Sequence, residues 1–256
     1  MKIFKIYRFI CVILLSFILI LTTNQLKLNA YNSFLSTNEH HHGLILAKIS
    51  NNDLNYFTNL GLMKGHLLVG KELLNLSEYE QSEPHFGHPV DEIYGDLEPQ
   101  LKTRNIPAFN QDLITLHELV KFSPQDPKVS YQYDLAMKKI DQAIAFLPES
   151  KRQNPEFIIK VITKLLNIAQ EEYSAAIITN KIVEIIEYQD AKGFALYSDI
   201  LFNSIQNNLS TENPSLAKKL ALNLKEIKQV FPSAKAPPKA VIAPEGFSQL
   251  VSQFTI

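Results

Sequence analysis

"DLNYFTNLGLMKGHLLVGKELLNL", Asp53 to Leu76, is the stretch that decides the fold. Its apolar side chains at Leu60, Met63, Leu67 and Leu74 recur at three- and four-residue steps, the period of an α-helix. Gly61, Gly65 and Gly70 interrupt it, each costing about 1 kcal/mol relative to alanine in a helix interior. Something must offset that cost. Either another helix packs very closely against this face, or the glycines clear space around His66 for a ligand. His66 shares its face with Leu62, Met63, Val69, Gly70 and Leu73, so burial is expected. A buried histidine is either a core residue bonded to a carbonyl or carboxylate, or a ligand. Both readings stand at this point.

The helical period continues outward from this segment. Ser77 reads as an N-cap with Glu80 completing a capping box, and the helix they open should stop near Gly87. Pro89 suits the first turn of a third helix, with Asp91 and Glu92 near its positive end. A fourth helix is expected around Asn110 to Phe122, and "SPQDP", Ser123 to Pro127, is the best candidate boundary. Beyond it the pattern predicts helices near 131–147, 155–172, 180–207 (with room for a break) and 214–230. Asn154-Pro155 and Asn213-Pro214 are helix starts, each a capping Asn before a first-turn Pro. "PSAKAPPKAVIAPEG" reads as an extended, mobile Pro/Ala-rich tail before a short amphipathic end at Phe247 to Phe254. No strand pattern of comparable length appears. The expected class is all-α, a helical bundle or stacked helical hairpins. The regions are 31–122 with the histidines, 123–231 as a second helical region, and 232–256 as the tail.

Residues 1–30 have the layout of a cleaved signal peptide: Lys2, Lys5 and Arg8, an apolar run from Phe9 to Leu21, and small Ala30 at the cut. That run is short against the roughly 20 residues of a spanning helix. The expectation is an exported, periplasmic or secreted chain with no stable membrane span after cleavage. Removing Lys2, Lys5, Arg8 and Lys27 leaves 21 basic against 26 acidic residues, which argues against nucleic acid as a partner. The one cysteine, Cys11, lies in the signal, so disulfides, thiolate metal sites and thiol catalysis are excluded from the mature chain.

All seven histidines fall between His40 and His117. In "EPHFGHPVDE", Glu83 to Glu92, His85 and His88 stand three apart around Gly87. A helix ending there puts His85 at a negative end and His88 at a positive one, which favours the neutral, metal-binding ring. Two imidazoles with Asp91 or Glu92 make a partial site for iron, copper or zinc, completed by His66 or Glu98. The competing reading has His88 capping a helix and His85 packing at a corner. "EHHH", Glu39 to His42, reads as a solvated tail or a weak capture segment, because adjacent residues share no helix face. His117, among Leu113, Ile114 and Val120, reads as a core residue.

The second half carries one acidic stretch, "EEYSAAIITNKIVEIIEYQDAKGF", residues 171–194. Glu184, Glu187 and Asp190 follow at three-residue steps on one stripe, where carboxylates either bind a hard cation or stay in water. This stretch resembles the extracytoplasmic helical segment of bacterial high-affinity iron permeases, with a tyrosine-led part, a short turn, and an acidic "EY" followed by another acid. Glu187, Tyr188 and Asp190 match the latter part, and Asn180 stands where that turn usually has glycine. "GHLLVGKEL…PHFGHPVDEIYGDLEP", within residues 61–99, looks like a segment of exported bacterial helical proteins of unnamed role. "MKGHLLVGKEL" departs from the Gly-x-His-x-x-Glu pattern of imelysin-like periplasmic proteins, since Val69 stands where Glu is expected. The permease resemblance implies metal handling beside a membrane metal transporter or another periplasmic protein.

No Gly-x-Ser-x-Gly elbow, HExxH or phosphate-binding glycine loop is present. The first functional expectation is a non-enzymatic exported protein that binds or delivers a transition metal. Its imidazoles are His66, His85 and His88; its carboxylates are Asp91, Glu92 and Glu98, with Glu184, Glu187 and Asp190 as secondary candidates. The alternative is a tetratricopeptide-like interaction module without metal. That reading needs scattered histidines and a concave face lined by Tyr79, Tyr94, Tyr188 and Tyr197.

Overall fold

The computed structural model describes residues 41–254, with side chains from residue 52. The signal-peptide reading of residues 1–30 and the side chains of the Glu39–His42 run lie outside what is described. The unit Ile49–Ile256 is compact and all-α apart from one small hairpin. The chain runs α1 (His41–Asn75), α2 (Tyr79–His88), a π-helical turn (Pro89–Tyr94) and α3 (Gly95–Thr103). It continues through α4 (Asn110–Phe122), α5 (Lys128–Ala145), the short α6 (Glu149–Arg152) and α7 (Pro155–Ala176). Then come β1 (Ile177–Ile178), β2 (Lys181–Ile182), α8 (Ile185–Glu212), α9 (Pro214–Gln229) and α10 (Pro244–Ser252).

Helix α7 packs extensively on α8, with α9 packed beside α8. Helix α7 presents Ile158, Ile162, Leu165, Ala169, Tyr173 and Ala176, all buried, at three- and four-residue steps. Each large aliphatic side chain on that stripe contributes about 1.5–3 kcal/mol by leaving water. The expected caps form: Asn154 and Asn213 accept from the backbone N–H of Phe157 and Leu216.

Four expectations change. Ser77 is not an N-cap. It lies in the left-handed region at φ 60°, closing α1 with Glu78 N–H donating to Leu73 and Ser77 N–H to Leu74, the Schellman arrangement. The second helix does not stop at Gly87 either. His88, Pro89 and Gly95 all have right-handed helical backbones, so α2, the π turn and α3 form one continuous helical run. Pro84, Pro89 and Pro99 fail to break it: Pro84 and Pro99 lie within α-helical turns, and Pro89 opens the wider π turn. With no corner, His85 and His88 lie one turn apart on one face, and the opposed helix-end dipoles read from the sequence do not apply.

The third change is at residues 177–184, read as helical from 180. They form a hairpin whose two-residue loop, Thr179 and Asn180, has φ 49° and 64°. Both residues with positive φ are what a type I′ turn requires, and Asn tolerates that region in place of glycine. The fourth is the tail, which is held against the bundle rather than free. Tyr188 donates to the Ser233 carbonyl, Tyr173 to that of Ile242, and Phe247 and Phe254 are fully buried.

Candidate metal centre

Glycine answers the question posed by α1. A Cβ on Gly65 would meet Phe194 and the backbone of Gly193, and one on Gly193 would lie 2.3 Å from the Gly65 carbonyl oxygen. Helices α1 and α8 therefore touch backbone to backbone, which only glycine permits. This contact sets His66, next to Gly65, against Asp190, three residues before Gly193. Gly70 similarly leaves room for Phe86 and the Cβ of His85 on α2.

The result is a buried cluster of His66, His85, His88 and Asp190, with one ligand atom from each all within 4.8 Å of one another. Oδ1 of Asp190 lies 2.7 Å from Nδ1 of His66 and 2.8 Å from Nδ1 of His85. Its Oδ2 lies 3.4 Å from Nδ1 of His88. His85 is fully buried, and His66 and Asp190 are each 3% exposed. His88 is the ring nearest solvent, and its enclosed Nδ1 makes no hydrogen bond. Phe194 meets His66 edge-on at 5.0 Å and closes the apolar side.

Burial pushes the Asp190 carboxyl up, but the three imidazoles around it outweigh burial and hold it well below the usual carboxylate range. His66 goes the other way: desolvation pushes its ring down against the attraction of Asp190, favouring the neutral form. For His88, Asp190, Glu92 and Glu187 overcome desolvation and raise the ring. An ionised carboxylate beside a neutral imidazole is a donor set suited to a borderline divalent cation. Ligands to one ion at about 2 Å stand at most roughly 4 Å apart, close to the 4.8 Å within which these four atoms already lie.

The other candidates stand outside the four-residue cluster, with Glu92 and Glu187 near its His88 edge. Glu92 reaches only 3.8 Å from His88 Nε2 and is exposed. Glu98 pairs with Lys102 at 3.2 Å along α3. Asp91 is exposed, with its Oδ2 close to Gly87. Glu184 precedes α8 in extended backbone and leaves the expected stripe, because the hairpin occupies that turn. Glu187 stays on α8 beside Glu172, whose carboxyl burial and Glu187 together push up to about 8. His117 bonds Glu83 at 2.6 Å, as a satisfied structural residue would. Tyr94, Tyr188 and Tyr197 are buried, so they line no concave face.

Sequence reading ranked Asp190 as secondary and passed over Gln189, which contacts His85 Nε2 at 2.9 Å through Oε1. A usable signal was present: a glycine beside His66 and another one turn after Asp190, each the mark of a close helix crossing.

Residues 148–255 match the family model described as the iron permease-associated 4-helix bundle domain. The match takes in α6 to α10 and agrees with the permease resemblance of residues 171–194. That part of the chain is thus similar to a domain associated with iron permeases. Comparison with curated proteins and with solved structures found no match. Asp190 lies inside the matched region and the three histidines lie ahead of it, so the cluster joins a familiar bundle to a separate helical segment. Among the described residues, no helix is long and apolar enough to cross a membrane.

Proposed function

We propose that this chain is an extracytoplasmic, non-enzymatic protein that binds a transition-metal ion through His66, His85, His88 and Asp190 and hands it to a membrane permease. The observation that carries this reading is the convergence of three Nδ1 atoms, from two helical segments, on one buried carboxylate of a third. A protein core has no structural need for three imidazoles and an acid in one place, and burying them is costly unless they are mutually satisfied or bind a cation. Three nitrogens and one oxygen without sulfur suit iron(II), zinc or copper(II) over soft copper(I). The permease-associated bundle favours iron as the cargo and supports delivery to a transporter.

The test is elemental analysis and metal titration of protein purified without a histidine tag. One equivalent of iron(II) or zinc is expected for the parent, and none for the His85→Ala, His88→Ala double variant. Unchanged stoichiometry in the folded double variant ends the proposal.

A further inference from the structure

We infer that Gln189 is a positioning residue that fixes which nitrogen of His85 faces the site, and that the C-terminal segment in turn fixes Gln189. This rests on the metal-binding reading above. Gln189 Nε2 lies 3.0 Å from the backbone carbonyl of Ala234 and 2.7 Å from Oε1 of Gln81. A backbone carbonyl only accepts, so the nitrogen of the Gln189 amide must face Ala234 and its oxygen must face His85. At 2.9 Å from Gln189 Oε1, the Nε2 of His85 must therefore carry a proton and donate it.

That assignment leaves the Nδ1 lone pair of His85 pointing at Asp190 Oδ1, 2.8 Å away. Two acceptors at that distance need a cation between them, either a proton or a metal. Without Gln189, the ring would place its proton on Nδ1 and donate to Asp190, removing that lone pair from the site. Ligand imidazoles are commonly held in this way by an acceptor on their far nitrogen. Here the acceptor is itself locked: Ala234 N–H donates to Glu72 Oε1 at 2.9 Å, and Glu72 also pairs with buried Lys192 at 3.2 Å. The tail between α9 and α10 thus reaches the site through one amide.

The experiment reads ring protonation in the metal-free full chain by long-range proton–nitrogen NMR correlation, with His85 assigned against His85→Gln. A proton on His85 Nε2 is expected in the parent and in Gln189→Glu, which keeps an acceptor, and its loss in Gln189→Met, which keeps the volume. Zinc affinity of Gln189→Met should fall about 10–100-fold. An unprotonated Nε2 in the parent overturns the inference, whether or not the Met variant folds. So does a folded Gln189→Met that keeps both the Nε2 proton and parental zinc affinity. A parent that takes up no zinc or iron defeats the metal-binding reading alone, because the NMR assignment is made without metal.

Discussion

Replacing Gly193 with alanine sets two effects of opposite sign against each other. In an ordinary helix the change stabilises by about 1 kcal/mol through helix propensity. Here the added Cβ would stand 2.3 Å from the Gly65 oxygen and 2.8 Å from its carbonyl carbon. Contacts of that kind are most favourable near 3.5 Å, so α1 and α8 must part by about 1 Å. Neither partner atom can rotate away, since both belong to backbone. Overpacking of this sort costs about 1–3 kcal/mol, so after the propensity gain the net expectation is a loss of up to about 2 kcal/mol. The same displacement moves Asp190 relative to His66. A functional site tolerates only about 0.5 Å, so metal affinity should fall at least ~10-fold. Gly95 is the matched comparison, because nothing lies within 4 Å of a Cβ built there. Gly95→Ala is expected to be neutral or to stabilise by up to about 1 kcal/mol. Urea unfolding followed by far-UV circular dichroism, with a zinc titration of each variant, measures both effects. If Gly193→Ala proves as stable as Gly95→Ala, the backbone contact does not place the site, and the reasoning is refuted.

Three further outcomes are expected. Asp53 accepts from Arg104 at 2.6 Å and Lys151 at 2.5 Å; burial pushes its carboxyl up, but these two cations hold it below its ordinary 3.8. Its stabilisation is present above that pH and lost as pH falls through the lower folded value, so Asp53→Asn should cost about 2 kcal/mol at pH 7 in urea melts, with the difference closing on acidification. Glu172 behaves oppositely: with a folded value of about 8 against 4.5, the metal-free fold should lose stability as pH rises between those values, and Glu172→Gln should flatten that slope in thermal melts. Zinc at 100 times its dissociation constant should stabilise the parent by about 2.7 kcal/mol in the same melts and leave His66→Ala, His85→Ala unmoved; equal stabilisation of both proteins would place the ion elsewhere.

Periodicity and capping were legible because they are local. The spacing of Leu60, Met63 and Leu67, and the Asn-Pro starts at 154 and 213, act through neighbours within four residues, and the helices they imply are present. The helix at Asn110–Phe122 appears with the bounds read from its sequence. Where reading failed, a nearby alternative won. Ser77 closes one helix instead of opening the next, and the helix runs on past Gly87 through Pro89, which opens a π turn that the local sequence does not signal.

The sequence by itself determined an all-α chain with its histidines gathered in one region and a suspicious glycine on either side of His66. Only the tertiary structure decided which acid completes the cluster. Asp190 stands 124 residues from His66 in the chain. Its partner was set by where two glycine-bearing helices can approach without side chains between them. Helical propensity is written in short-range spacing. The meeting of α1, α2 and α8 depends on shape complementarity summed over whole helix faces, and no local pattern of residues encodes that sum.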